Sequence, residues 1–338
     1  MFGFGNMLKD YLDYYKISQT EFADRLNISQ KHMNEIINGK TNISNDLILA
    51  ISLLTNIDAN LIYYVENKKR VNDYLKNKFK SDKELKEYLN GFSLKEMNEK
   101  KWLKLKDKNS LVQNYIDLIE YMNVKDIDTL NSYLEKRFLF KKNDNANNTK
   151  IYLWIRHCDI MTSNIEIDEY NPNKLSLLFE ELKNEQNKKF NKKNLIDLFK
   201  KYGIILYIED ALKGSKVRGC IRVKINTPVI YMTTYYKEKS SFYFTLYHEL
   251  IHLKKDYNKL KNKTIIEDDN SENDIDSLAL SEMIPEDVYE EIINNYENRE
   301  IIAKRNNIPL CFLYSRLAKE NKIGYKSKEY INNREKID

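Results

Sequence analysis

Apolar positions along the first 70 residues recur with helical spacing in five short runs, each closed by turn-forming residues. The second run, SQTEFADRL, opens on Ser18 with Glu21 three residues later, a capping box that marks a helix start. The next, SQKHMNEIINGK, opens on Ser29 and stops at Gly39. Between them NIS reads as a tight corner, where Asn27 tolerates left-handed backbone. A fourth helix runs from about Asn45 to Thr55 with Leu47, Ile48, Ile51 and Leu54 as its apolar face, and a fifth covers ANLIYYVENKKR. Residues 71–150 read as charged helices of weak pattern, ending in KKNDNANNTK, which has the composition of a surface loop. Three more helices follow: IYLWIRHCDI, PNKLSLLFEELKNEQ and KKNLIDLFKKYG. At Gly203 the period changes, and IILYIED, RGCIRVKIN and PVIYMTTYY read as strands. A helix starting near Ser240 comes next, then an acidic loop, TIIEDDNSEND, then the helix SENDIDSLALSEM, which Pro285 ends. The pattern predicts an α+β, predominantly helical chain. It has an all-α domain over residues 1–70, a helical connector over 71–150, and a domain with a small sheet over 151–338.

Composition sharpens this. A chain of 338 residues exceeds one ordinary domain. Only 8 Gly and 4 Pro favour long helices over a turn-rich β fold. A net charge of +5 permits nucleic-acid contact without demanding it. Cys158, Cys220 and Cys311 are scattered and form no CxxC pair, the usage of a reduced, intracellular protein. The start, MFGFGNMLKD, lacks the basic and apolar regions of a signal peptide. The longest apolar run, LILAISLL, is too short to span a bilayer. A cytoplasmic location with no membrane partner is expected.

The chemistry concentrates in FTLYHELIHLKK, residues 244–255, which holds two of the four histidines. On a helix turning about 100° per residue, His248 and His252 lie about 40° apart on one face and Glu249 about 60° from His252. Tyr243, Leu246, Leu250 and Leu253 fall opposite, so the helix can bury its leucines while the histidines line a cleft. Two imidazoles one turn apart can reach one ion at about 2.0–2.1 Å. Glu249 is too far round to join them, but can take a proton from water in the H-E-x-x-H arrangement of zinc peptidases. The bland alternative is an amphipathic helix with two exposed histidines. Catalytic zinc takes three protein groups. Glu272, twenty residues past His252, is the first candidate for the third ligand. Asp276, one turn further on, is placed to orient a histidine. Asp274 competes as a ligand, or closes a capping box with Ser271. Glu272 could instead be a helix-start acid facing the macrodipole. His157 reads as a structural histidine.

Residues 150–325 resemble the ImmA/IrrE family of zinc metallopeptidases through LWIRH, YGIILYIEDAL, VRGCIRV, PVIYMTTYY, FYFTLYHELIHL, ENDIDSLALSEMIP and IAKRNNIPLCFLYSRLAKENKIG. The resemblance implies a gluzincin-like domain binding Zn2+ through His248, His252 and Glu272, with Glu249 as the base in peptide-bond hydrolysis. The family pattern E-x-E-A-[ND]-x-F-A stands here as E-N-D-I-D-S-L-A, with Ile275 and Leu278 replacing alanine and phenylalanine. These apolar exchanges bear on packing more than chemistry. Tyr314 and Arg316 are candidates for stabilising an oxyanion. PVIYMTTYY, if a sheet edge, could pair with an extended substrate.

ISQTEFADRLNISQKHMNEIINGKTNIS resembles the helix-turn-helix of the Xre/Cro repressor class, and more closely HigA-type antitoxins. Phe22, Ala23, Leu26, Ile28, Ile36 and Ile37 would form its core. Gln30, Lys31, His32 and Asn34, at the start of the second helix, can reach base edges in the major groove of an operator. Gln19 and Lys40 are better placed for phosphates. So short and modestly basic a reader needs a homodimer for useful affinity. The leading expectation is a DNA-binding regulator with a zinc endopeptidase that cleaves a repressor or antitoxin. The rivals are a HigA-like autorepressor whose peptidase fold is a non-proteolytic sensor or dimerisation scaffold, and a protein-interaction adaptor with neither zinc nor operator.

Overall fold

The computed structural model describes residues 3–139, 148–265 and 272–337, with the side chains of Leu139 and Glu272 outside the description. The chain divides into two compact units, residues 1–123 and 124–338.

The first unit is all helical: α1 (Phe4–Tyr15), α2 (Gln19–Arg25), α3 (Gln30–Ile37), α4 (Asn45–Thr55), α5 (Ala59–Lys78), α6 (Asp82–Asn90), α7 (Leu94–Glu99) and α8 (Leu111–Met122). Ser18, Ser29 and Ser44 each accept a backbone N–H at the start of α2, α3 and α4, satisfying donors that a helix end leaves orphaned. Asn27 turns the corner between α2 and α3 at φ 52°. Gly39, at φ +66°, ends α3, and the Lys40 N–H returns to the Glu35 carbonyl at 2.8 Å.

The core stacks Phe4, Leu8 and Leu12 of α1 on Phe22, Met33, Ile36 and Ile51. Phe22, Ala23, Ile36 and Ile37 are buried as the sequence predicts, whereas Leu26 and Ile28 are only half-buried and Met33 takes a central place. On α4, Ile48 and Ile51 face inward, Leu47 is half-buried and Leu54 is exposed. That run carries more apolar residues than one helix face can hide. α5 continues eight residues beyond the predicted ANLIYYVENKKR, because no Gly or Pro interrupts it before Phe79. Residues 71–123, read from sequence as part of a connector, belong to this first compact unit.

The second unit comprises α9 (Ile127–Arg137), β1 (Phe138–Leu139), α10 (Asn148–Met161), α11 (Leu175–Glu185), α12 (Lys192–Lys201), β2 (Ile205–Ile208), β3 (Gly219–Lys224), β4 (Thr227–Met232), α13 (Lys239–Leu260), β5 (Thr264–Ile265), α14 (Glu272–Met283), α15 (Glu286–Asn294), α16 (Arg299–Arg305), α17 (Leu310–Lys319) and α18 (Lys328–Asn333). The strands form one sheet in the order β1-β5-β3-β4-β2. β3 and β4 are an antiparallel hairpin from Gly219↔Met232 to Lys224↔Thr227, and β2 runs parallel to β4. The hairpin turns through Ile225 at φ 58°, a conformation costly for a β-branched residue. β4 is therefore interior, flanked by β3 and β2, and cannot take a substrate strand as PVIYMTTYY would at an edge. On the sheet, Asp159 of α10 meets Arg222 at 2.9 Å and the Tyr231 hydroxyl at 2.7 Å, tying α10 to β3 and β4. Cys158, Cys220 and Cys311 are free and buried. Among the described residues, no helix is long and apolar enough to cross a membrane.

One contact in the first unit has no slack. A Cβ placed on Gly5 would lie 2.4 Å from the carbonyl oxygens of both Ile36 and Ile37, so α1 rests directly on the backbone at the end of α3. Alanine normally favours a helix interior by about 1 kcal/mol over glycine. Here the collision is with backbone, which cannot swing aside. Gly5→Ala should therefore destabilise the first unit by about 1–3 kcal/mol. Thermal or denaturant unfolding checks this, and a gain in stability would contradict the packing.

Candidate functional site

α13 is the central helix of the second unit, buried on nearly all sides from Lys239 to Leu253. Its leucine face packs into the main core. The opposite face is covered too: His248 is 7 %, Glu249 2 % and His252 0 % exposed. The alternative of an amphipathic helix with two exposed histidines is thus corrected, because β3 covers the Glu249 side and α14 the His248 side. Burying two imidazoles and a carboxylate is costly unless each polar atom is engaged.

The engagement is specific. His248 Nδ1 lies 3.0 Å from Asp276 Oδ1 on α14. His252 Nδ1 lies 2.9 Å from Asp256 Oδ2, one turn further along α13. An ionised carboxylate can only accept, so each Nδ1 carries the hydrogen and each Nε2 presents a lone pair. These two Nε2 atoms face each other at 3.2 Å. Facing lone pairs in a buried site repel unless a shared proton or a metal cation lies between them. Two nitrogens at about 2.0–2.1 Å from a tetrahedral zinc are separated by roughly 3.3 Å, so the pair fits that ion. Carboxylates behind both imidazoles are the usual support of metal-bound histidine.

Asp276 is also gripped by Lys319 of α17, at 2.9 Å from Oδ2. Burial works against its charge, but hydrogen bonds from His248 and Lys319 hold its carboxyl below the usual range. Gly219 lets the sheet close over Glu249: a Cβ there would lie 3.0 Å from Glu249 Oε1 and 2.9 Å from Thr245 Cγ2. On the opposite face of β3, burial first and the Glu249 charge second push the Cys220 thiol well up.

The other predicted residues fall as follows. Glu272 opens α14, one helical turn before Asp276, and its side chain lies outside the described residues, as does Ser271. Asp274 is exposed on α14. Among the described residues, no group of three or more His, Cys, Asp and Glu side chains is arranged to hold a metal. Tyr314 is buried with its hydroxyl donated to Glu300 at 2.6 Å. Arg316 is committed to the Ile284 carbonyl, Glu286 and Glu320, with its guanidinium over Tyr289. Neither is available as an oxyanion partner. His157 is buried in α10. Sequence reasoning missed Asp256 and Lys319. Asp256 had a signal, the i,i+4 spacing from His252, but it stands one residue past the stretch taken as helix.

In the first unit, α2 and α3 form a helix-turn-helix. Gln30, Lys31 and Asn34 are exposed on α3, and His32 is half-buried 3.9 Å from Glu35. The Asn34 side chain also accepts from Asn38 at 2.9 Å. Gln19, half-buried, is the first residue of α2, and Lys40 is exposed just past α3. Residues 8–62 match the family model of the helix-turn-helix. The chain thus carries a DNA-binding module of the kind found in transcription regulators. Neither the curated proteins nor the solved structures contain a match to the chain.

The exposed positions predict two different losses on DNA. On duplexes selected by the wild-type chain, Gln30→Ala should cost about 1–3 kcal/mol and relax preference at one base position. Lys40→Ala should weaken all duplexes alike and lower the salt dependence by about one charge. Binding titrations across salt separate the two, and identical behaviour would contradict the assignment.

Proposed function

We propose that the chain is a DNA-binding regulator whose second unit is a zinc-dependent endopeptidase acting on a regulatory protein, a repressor or an antitoxin. The observation that carries this is the carboxylate-backed pair of buried histidines with Nε2 atoms 3.2 Å apart. The ImmA/IrrE resemblance supplies the substrate class. His248 and His252 would hold zinc with Glu272, which the helical spacing of α14 puts on the same face as Asp276. When bound, zinc supplies Lewis acidity to water and to the scissile carbonyl.

The chain's own residues do the rest. Asp276 and Asp256 fix the tautomers and ring orientations of the two histidines. Lys319 holds Asp276 in place from its other oxygen. Glu249, 2 % exposed and walled by β3, takes the proton from water and later hands it to the leaving amine.

The test is cleavage of a co-encoded regulator. The wild-type chain should cut it. Glu249→Gln should bind zinc equally and lose activity by at least about 100-fold, the scale of general acid–base catalysis. Asp256→Asn should keep the fold and weaken zinc about 10–100-fold. Should wild type and Glu249→Gln be equally inert while operator binding is intact, the peptidase reading fails and the second unit is a sensor or scaffold.

A further inference from the structure

We infer that the second unit carries a DNA-backbone surface of its own, a lysine cluster beside α12 that holds duplex phosphates without reading sequence. Residues 183–201 contain seven lysines against two carboxylates, Glu185 and Asp197, an excess equal to the net charge of +5 of the whole chain. The remaining sequence is therefore balanced, and the positive field is concentrated on this segment.

Part of the cluster is already paired. Lys183 meets Glu282 and Lys188 meets Glu185, each at 2.8 Å, and Lys201 meets Glu181. Lys189, Lys192 and Lys193 are exposed, and none has an ion pair among the described residues. α12 opens on the last two with no acid in its first turn.

Across a cleft of about 520 Å³ these lysines face residues 335–337, which add the exposed Lys336. Among the described residues lining the cleft, the one carboxylate is Glu335, and it is matched by Lys239 at 2.8 Å. Lys239 is 2 % exposed, and its ammonium also donates to the Lys188 carbonyl at 2.9 Å. Its backbone N–H donates to the Glu335 carbonyl at 2.9 Å. One buried cation thus pins both walls, and four unpaired ammoniums are presented from fixed backbone.

Charge chooses the occupant. Duplex DNA carries one negative charge per about 1.7 Å of its axis, a ladder that several ammoniums can engage at once. The chain already carries a DNA-binding module in residues 8–62. Lysine is a point charge with no planar fork to match a carboxylate on two sides, so the cluster suits a phosphate ladder better than an acidic protein segment. Contacts of this kind supply the sequence-independent affinity that a short, modestly basic recognition helix lacks.

The test titrates the full chain, by anisotropy across a salt series, into a fluorescein-labelled random-sequence duplex of about 30 base pairs, three turns of DNA. Each phosphate contact contributes about 0.9 to the slope of log affinity against log salt. Lys189→Gln/Lys192→Gln/Lys193→Gln should therefore lower that slope by about two to three and weaken binding at low salt by at least about tenfold. Removing cations from the positive end of a helix does not threaten its fold. Lys304→Gln/Lys322→Gln/Lys326→Gln, which removes the same charge from exposed positions elsewhere on the second unit, should stay close to wild type in both readings. An unchanged slope in the first variant overturns the inference, as does an equal fall in the two. If the first variant keeps its slope on DNA but loses binding to labelled polyglutamate, the cluster belongs to an acidic protein partner and the inference fails.

Discussion

Two imidazole nitrogens held 3.2 Å apart inside a buried helix are the constraint on which the second unit turns. Each ring is fixed from behind by a carboxylate, Asp276 for His248 and Asp256 for His252. The surrounding packing follows from that need. α14 must lie close enough to deliver Asp276, and α17 must deliver Lys319 to steady it. β3 must approach without a side chain at position 219, because Thr245 and Glu249 occupy that space. A core built for stability alone would fill this volume with leucine. Buried polar groups gathered this closely mark a candidate site.

The two units solve different problems with the same local rules. In the first, serine caps and one left-handed asparagine set the angle between α2 and α3, leaving Gln30, Lys31 and Asn34 outward. In the second, a long helix is surrendered to the interior so that its polar face becomes a site.

Much of this was legible in local pattern. The caps at Ser18 and Ser29 are read by side-chain chemistry within three residues, so α2 and α3 fall where predicted. The His248–His252 spacing is a property of one helical turn. What was not legible depends on tertiary partners. Strand order placed β4 inside the sheet, though its apolar run suits an edge or a centre equally. The β3–β4 hairpin turns at Ile225, where no Gly or Asn announces left-handed backbone at that position. Asp256 was hidden by a helix end set at Lys255, when α13 runs to Leu260. Lys319 lies 43 residues from Asp276, and no periodicity connects them.

The central claim is that a divalent cation completes the histidine pair, and equilibrium dialysis of the full chain against zinc tests it most directly. The account predicts one zinc per wild-type chain and none retained by His252→Ala. A wild-type chain that retains no more zinc than His252→Ala would contradict it, leaving the two imidazoles bridged by a proton and the helix-turn-helix as the working part.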